Sequence, residues 1–520
     1  MNLRPTVVPL TAKEFDRELC GYCAGCGCSC GYIAYLKDSK IVDLYGHPAD
    51  PNGLGSLCTK GITYIQQLPE NPLRIREPAV REGGEFKKIS PEEAISLLKE
   101  WMGERICIFL DRQSDLNDTL YALGLTDKVY SDSCHLPFKP SSLPPQRWSD
   151  MRFILSLECD PVFSEVMATR WLVDAFESSA YILSVSTRYA TTSAKASKRL
   201  LLSPQEMVDF LEGLLGFLNG KDPAGFGEDV RRTGEALSLI RESLILVGDS
   251  LLKFPQGDRI IWLIGEIVRR TGCEYSFVGD ISPISLGGLE DFFKEAENSD
   301  LILMTGNPFI YADDEFIRSI EGIKKVYIGL FPNITAVHSD LVIPAKAFPE
   351  REFYAFRNGF GIRERFPKVL EPPGNTVSLS ELLQDLGVEP SEMTTEPLPL
   401  LREVEPEEPP SIERDGNAFW IIGVRTLVEE MGHWNPWTHA IEREQKALMN
   451  SKTALALGVG DLLKIGDVEI PVEVSSNVAD WVILLPDSFE EFQPFDPGVR
   501  LGRIIGRGKI VVKWRREDEH

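Results

Sequence analysis

The chain has 520 residues, 43% of them hydrophobic, enough for several domains with large buried cores. Its formal net charge is −24 and its pI about 4.8, with no long Lys/Arg run, so the basic face a nucleic-acid binder needs is excluded. No window of about 18 uninterrupted apolar residues occurs, so no transmembrane helix is expected.

The first residues, MNLRPTVVPLTAKEFDREL, contain neither an apolar signal core nor a twin-arginine pair, which predicts a cytoplasmic location. Six of the ten cysteines then fall before residue 60. In a large chain without an export signal, that density points to metal rather than disulfides. Four keep the spacing Cys23-x2-Cys26-x3-Cys30-x27-Cys58. Thiolates so spaced on a glycine-rich loop suit a cubane [4Fe–4S] cluster. Three thiolates with a distant fourth also make a zinc pattern. The ending Cys58-Thr59-Lys60-Gly61 favours the cluster, because a zinc knuckle has no need of a cation beside its last thiolate. Cys20 and Cys28 lie outside the pattern, as spares or alternative ligands. Between Cys30 and Cys58, Tyr32, Ala34 and Leu36 alternate with Gly31, Ile33, Tyr35 and Lys37, and Asp38-Ser39 makes a turn. This predicts a hairpin that carries the fourth cysteine back to the other three.

Residues 62–89 are polar and turn-rich. Ser90-Pro91-Glu92-Glu93 reads as a helix N-cap with a first-turn proline, followed by the helix 94–103. Short apolar runs at 105–110, 152–157, 181–185, 243–248, 301–306, 325–330 and 340–344 then alternate with helical stretches such as 204–218 and 258–270. That alternation predicts parallel sheets with helices on both faces, and such sheets bind ligands at the C-terminal ends of their strands. The turns there are Glu158-Cys159-Asp160-Pro161, Ser186-Thr187-Arg188 and Thr305-Gly306-Asn307-Pro308. Singly, each reads as an ordinary strand-to-helix turn. Cys134-His135, within 129–139, is a lone pair of this kind; a free cysteine is usually a small hydrophobe. Residues 401–416 are acidic and proline-rich, a linker by composition. Beyond them, short strands at 419–423, 461–465, 468–474 and 481–486 suggest a small β-barrel.

Residues 23–61 closely resemble the N-terminal cluster domain of the molybdopterin-dinucleotide oxidoreductases, the dimethyl-sulfoxide-reductase family, and within it most resemble formate dehydrogenase catalytic subunits. The resemblance implies a cluster domain over 1–61, an α/β domain over 62–128 that resumes at about 285–400, a second α/β domain over 129–284, the linker, and a double-psi-like barrel over 417–520. It implies two molybdopterin guanine dinucleotides holding Mo or W, beside one [4Fe–4S] cluster. Lys60 would lie between cluster and pterin. Cys159, Asp160, Ser186, Thr187, Arg188, Thr305, Gly306, Asn307, Pro308, Gly423 and Arg425 would contact the dinucleotides. Cys134 would be the protein ligand of Mo or W, where a soft thiolate suits a centre already held by dithiolenes. His135 would handle a proton.

Three departures stand out. The stretch 271–288, where the family carries a substrate-binding arginine, has none; Arg170, Arg188, Arg269 and Arg270 are candidates without a motif. Ser186-Thr187-Arg188 lacks the acidic residue often found for a guanine edge. The chain is shorter than typical formate dehydrogenase subunits. The implied activity is interconversion of formate and CO2, with electrons leaving through the cluster to an iron–sulfur or flavin partner subunit in a hetero-oligomeric complex. Formylmethanofuran dehydrogenase is a close variant. A non-catalytic electron-relay or scaffold subunit that has lost the pterin is the reading of another class.

Overall fold

The computed structural model describes residues 14–111, 115–189, 191–223, 225–282, 284–357, 362–392, 398–404, 408–409, 418–424, 446–466, 468–486 and 500–514.

Three antiparallel strands open the fold: β1 (Arg17–Tyr22), β2 (Gly31–Lys37) and β3 (Lys40–Gly46). Tyr32, Ala34 and Leu36 are buried on the inner face of β2, as their alternation predicts. Asp38 and Ser39 make the turn with φ of 51° and 65°, the two successive left-handed residues that let a two-residue loop follow the strand twist. The helix α1 (Thr59–Gln67) follows.

Among the described residues, seven strands form the next sheet, in the order β5-β4-β17-β16-β15-β6-β7. Its parallel part comprises β6 (Ile106–Leu110), β7 (Val129–Ser131), β15 (Leu301–Met304), β16 (Lys324–Gly329) and β17 (Leu341–Pro344). Its edge is the antiparallel hairpin β4 (Ala79–Glu82) and β5 (Glu85–Lys88), inside the stretch read from sequence as merely turn-rich. These strands are four residues long and mostly charged, so they lack the apolar run that marks the buried ones. The helix α2 (Pro91–Trp101) starts with the expected capping box: Glu93 N donates to Ser90 Oγ at 3.1 Å and Ser90 N donates to Glu93 Oε2 at 2.8 Å.

The chain leaves this sheet after Ser131, a few residues past the expected boundary at 129, and builds a second one. Five parallel strands stand in the order β11-β10-β9-β12-β13: β9 (Phe153–Leu157), β10 (Tyr181–Ser186), β11 (Lys198–Leu201), β12 (Ser243–Gly248) and β13 (Glu274–Val278). The last lies within 271–288, the stretch compared above with a substrate-binding loop. Tyr275 and Phe277 of β13 pack their rings against Phe138, at 6.3 and 5.5 Å between centroids. Leu136 and Phe138 are therefore core residues of this sheet. In both sheets the strand order reverses, between β6 and β15 and between β9 and β12, and ligand crevices form at such reversals.

Where the chain passes from one sheet to the other and back, its two crossing segments pair. β8 (Cys134–His135) lies parallel to β14 (Ile281–Ser282). Among the described residues, the C-terminal strands form a mixed sheet in the order Leu462–Ile465, Val468–Val474, Ala447–Met449, Val482–Pro486, Phe419–Val424 and Val511–Trp514. It rests on both α/β sheets. Tyr189 N donates to Asn477 O at 2.6 Å and Ala479 N to Thr187 O at 2.8 Å, while Gly508 N donates to Tyr311 O at 2.9 Å. Leu401–Glu403, at the head of the acidic stretch, is a short turn with Leu401 buried and its N–H held by the Tyr275 hydroxyl at 2.8 Å. No helix among the described residues is long and apolar enough to cross a membrane.

A buried ion pair ties the stretch between α1 and β4 to the segment after β17. Arg74 Nη1 and Nη2 meet Glu350 Oε1 and Oε2 at 2.5 and 2.6 Å, with side chains 0% and 2% exposed. Removing one partner of such a pair leaves an uncompensated buried charge, typically about 3–5 kcal/mol. Glu350→Ala should therefore lower the free energy of unfolding by that order in equilibrium unfolding, whereas Lys40→Ala, which breaks an exposed pair with Glu70, should change it by less than about 1 kcal/mol.

Candidate functional site

Cys58 is the N-cap of α1, and its Sγ accepts a hydrogen bond from Gly61 N at 3.3 Å. Cys23 Sγ accepts one from Gly25 N, also at 3.3 Å. A Cβ added at Gly61 would stand 3.3 Å from Cys23 Sγ and 3.7 Å from Cys58 Sγ, so this glycine lets two sulfurs close over the start of the helix. Cys23 N donates to Cys30 O at 2.9 Å, which folds the loop back on itself. The four motif cysteines sense one another. Burial pushes the Cys23 thiol up, with Cys26 and Cys58 adding to the rise. Burial also raises Cys58, with Cys26 adding, while Gly61 N–H and Lys60 oppose it. Cys30 is raised overall: the Cys28 hydrogen bond lowers it, but burial and the charges of Cys26, Cys23 and Cys58 outweigh that. Four thiolates held this close and this dry call for a cationic core between them, which is what an iron–sulfur cluster provides. Lys60 is the nearby cation, its Nζ 5.7 Å from the centre of the Tyr64 ring.

Among the described residues no three or more His, Cys, Asp or Glu side chains are gathered so as to hold a single metal ion. A cubane asks less of its ligands, because each thiolate binds a different iron. Of the two cysteines outside the motif, Cys20 is exposed on β1 and Cys28 is buried.

Cys134 is half-buried at the joint between the sheets. Its backbone N donates to Asp280 O at 2.9 Å, and its Sγ lies 3.8 Å from Asp249 O. His135 Nδ1 lies 3.4 Å from Ser282 O. A carbonyl only accepts, so Nδ1 carries the proton and Nε2 keeps a lone pair when the ring is neutral. Burial lowers the His135 pKa, against the pull of the Ser282 carbonyl, and so favours that neutral form. Gly279 has φ of 134°, and a Cβ there would fall 2.2 Å from Asp249 Cγ. Its N–H donates to Glu165 Oε1 at 3.2 Å, and Asp280 N donates to Asp249 Oδ2 at 3.2 Å. Sequence reasoning missed Glu165, Asp249 and Asp280. Asp249 follows a strand as directly as the turns singled out, and that signal was available; Asp280 follows β13, whose strand character was not read.

The expected dinucleotide turns fall into three places. At the ends of β9 and β10, Glu158 accepts from Thr187 N at 2.6 Å and Thr187 Oγ1 at 2.8 Å, Asp160 meets Arg188 at 3.6 Å, Ser186 Oγ donates to Arg188 O, and Cys159 is buried with its carbonyl held by Thr192 at 2.6 Å. At the end of β15, Asp111 N donates to Thr305 Oγ1 at 3.0 Å, Gly306 lies against Asp111, Pro308 opens a short turn, and Asn307 Oδ1 accepts from Thr335 Oγ1 at 2.7 Å. This second place borders an open cleft whose lining includes Ala24, Asp111, Thr305, Asn333, Lys346 and Arg351. Ala24 brings the cysteine loop to its wall. Arg351 is paired with Asp118 at 2.8 Å, and burial pushes the neighbouring Asp115 carboxyl up to about 6 against the pull of Arg351. Gly423, the third, packs in the C-terminal sheet on Ile510 and Leu501; Arg425 lies outside the described residues.

The arginines proposed for a substrate carboxylate have other contacts. Arg170 meets Asp174 at 3.9 Å and Arg188 meets Asp160. Arg269 reaches Val404 O and Glu266, and Arg270 meets Glu266 at 3.9 Å.

Residues 21–69 match the family described as the molybdopterin oxidoreductase Fe4S4 domain. The alpha subunit of F420-dependent formate dehydrogenase 2 from Methanococcus maripaludis is 28% identical over 118 residues, 22% of this chain and 17% of that protein. Periplasmic nitrate reductase from Desulfovibrio desulfuricans is 38% identical over 114 residues, 21% of this chain and 14% of that protein. The alpha subunit of formate dehydrogenase 2 (cytochrome c-553) from Nitratidesulfovibrio vulgaris is 21% identical over 252 residues, 41% of this chain and 24% of that protein. These matches thus span less than a quarter of the curated relatives. In fold, acetylene hydratase from Pelobacter acetylenicus superposes with a TM-score of 0.65 at 13% identity, over 90% of this chain and 92% of that one. Together they support the molybdopterin oxidoreductase family, with an Fe4S4 domain followed by mixed α/β structure with parallel sheets.

Proposed function

We propose that the chain is the catalytic subunit of a Mo- or W-dependent bis-pterin oxidoreductase acting on a one-carbon substrate, with formate and CO2 as the leading pair. Cys23, Cys26, Cys30 and Cys58 hold one [4Fe–4S] cluster, and Cys134 ligates the Mo or W. The turns at Cys159–Asp160, Ser186–Arg188 and Thr305–Pro308, with Gly423 and Arg425, receive two guanine dinucleotides, and the C-terminal sheet closes as a double-psi-like barrel. The observation that carries this reading is the pairing of β8 with β14, which puts a cysteine and a histidine at the junction of two sheets, beside the crevices where such sheets take ligands.

When bound, the Mo or W centre would supply two-electron chemistry and the cluster a one-electron exit to an iron–sulfur or flavin partner subunit. This chain's own groups do the rest. His135 Nε2 takes the substrate proton, its tautomer set by Ser282 O. Lys60 offsets the negative charge of the sulfurs. The fixed loop 279–280 holds Cys134 in place.

The contacts of Arg170, Arg188, Arg269 and Arg270 favour a second reading, a relay subunit without the pterin, because a formate carboxylate needs a cation. Elemental analysis of purified protein separates the two. Molybdenum or tungsten with pterin, together with formate-dependent viologen reduction, is expected. Iron alone, with no pterin, would establish the relay reading.

A further inference from the structure

The loop between β3 and Cys58 lies directly over one of the motif cysteines. A Cβ added at Gly53 would stand 3.8 Å from Cys30 Cβ, and Asn52 Nδ2 donates to Cys28 O at 2.5 Å. The loop is tied by its own backbone. Leu54 N donates to Asp50 O at 2.9 Å, Gly55 N to His47 O at 3.1 Å and Ser56 N to Gly53 O at 2.9 Å, while Asp50 Oδ2 accepts from Gly53 N at 2.6 Å. Gly53 is buried, and Leu54 beside it is 42% exposed. Solvent therefore begins one residue beyond the contact with Cys30.

This cover differs from the rest of the surface in two ways. Its exposed residues over 47–56 are Pro48, Ala49, Pro51, Leu54, Gly55 and Ser56, none of them charged, in a chain that is 26% charged with a net −24. Leu54 also takes φ of 44°. A single exposed leucine is ordinary. A bulky side chain in the left-handed region is not, because glycine or asparagine would sit there with less strain. The loop thus holds an apolar side chain outward, against its backbone preference, above a residue assigned to the cluster.

We propose that 47–56 is the docking surface for a one-electron carrier protein, with Leu54 as its anchor, and that the carrier meets it with an uncharged contact ringed by Lys and Arg. This rests on the assignment of the cluster to Cys23, Cys26, Cys30 and Cys58, and on electrons leaving through it. The centre of a protein interface is depleted in charge, because charges there must be stripped of water. A short path from cluster to surface suits electron exit, and the small residues beside Leu54 let another chain come close. The basic ring follows from charge: a carrier with an acidic face would be repelled by a chain of net −24.

The test follows reoxidation of the dithionite-reduced cluster in the full, metal-loaded chain by stopped-flow absorbance. Cytochrome c, a basic one-electron carrier, is the protein probe, and dichlorophenolindophenol is the small one. Leu54→Asn suits the left-handed backbone and removes the apolar anchor. Leu54→Lys adds a charge of the carrier's own sign. Both variants should keep about four iron per chain. Reoxidation by cytochrome c should slow about fivefold or more in Leu54→Asn, and further in Leu54→Lys. Dichlorophenolindophenol should oxidise Leu54→Asn at the wild-type rate. Cytochrome c with succinylated lysines should react with the wild type about tenfold or more slowly than native cytochrome c. Wild-type rates with cytochrome c in both variants would overturn the proposal. So would equal slowing by both oxidants in Leu54→Asn, which would make Leu54 a support of the cluster, and equal rates for native and succinylated cytochrome c. A wild-type dimer that Leu54→Asn dissociates in sedimentation would assign the surface to a second copy and overturn the carrier. A wild-type chain without iron would bring down the ligand assignment itself, and the proposal with it.

Discussion

Replacing Cys134 with alanine should abolish formate-dependent turnover and leave the iron–sulfur signal of the protein intact. The two effects separate because the residues belong to different parts of the chain. Cys134 stands on β8, held by Asp280 O at its backbone and by the loop of Asp249, whereas the motif cysteines are held by β2 and the start of α1. Removing a sole protein thiolate from a Mo or W centre removes the bond that completes its coordination, so the loss should be total within assay limits rather than graded. His135→Ala should give a graded loss, since general acid–base help is typically worth about 10²–10⁴-fold. Its residual activity should also lose the acidic limb of the pH profile. Burial lowers the His135 pKa, so the ring is neutral above it and becomes charged as pH falls through it, losing the lone pair on Nε2. The measurements are viologen-coupled kinetics against pH and EPR of the reduced protein. Full turnover in Cys134→Ala would end the assignment of Cys134 as a ligand.

Cys58→Ala should empty the cluster site. Iron and sulfide should fall from near four per chain toward zero, and the visible absorption of the cluster should go with them. The structural reason goes beyond one missing ligand. Cys58 is also the N-cap of α1, and replacing a capping side chain usually costs about 1 kcal/mol in local helix stability. The same helix carries Gly61, which sits against Cys23 Sγ, and Lys60, which offsets the charge on Cys58, Cys26 and Cys23. Loosening its first turn therefore disturbs a second ligand and the local cation together. An unchanged cluster spectrum in Cys58→Ala would show that another thiol, Cys20 or Cys28, completes the set.

Much of this was written locally. The cysteine spacing, the alternation in β2 and the Asp38-Ser39 turn are short-range patterns, and the hairpin they predict is present with its inner residues buried. The strands β6, β9, β12 and β15 were legible because strands covered on both faces must be apolar nearly throughout, and they read as unbroken runs. The capping box at Ser90–Glu93 marked a helix start because two groups three residues apart satisfy each other's backbone, and the structure shows the same box at Ser203–Glu206. What the sequence did not carry are contacts between distant segments whose residues have no periodic signal. β8 is two residues long, and His135 meets Ser282 147 positions later, so neither half looks like a strand until the sheet between them has folded. Glu165 finds Gly279 in the same way, and Arg74 finds Glu350 across 276 positions. The apolar character of Leu136 and Phe138 is plain from the sequence, but which core claims them depends on β13, an edge strand remote in sequence whose Glu274 and Ser276 interrupt any apolar run. Local burial writes itself into composition and period; the meeting of remote chain segments is decided only when loop closure is repaid by packing, and that is where Cys134 acquired its surroundings.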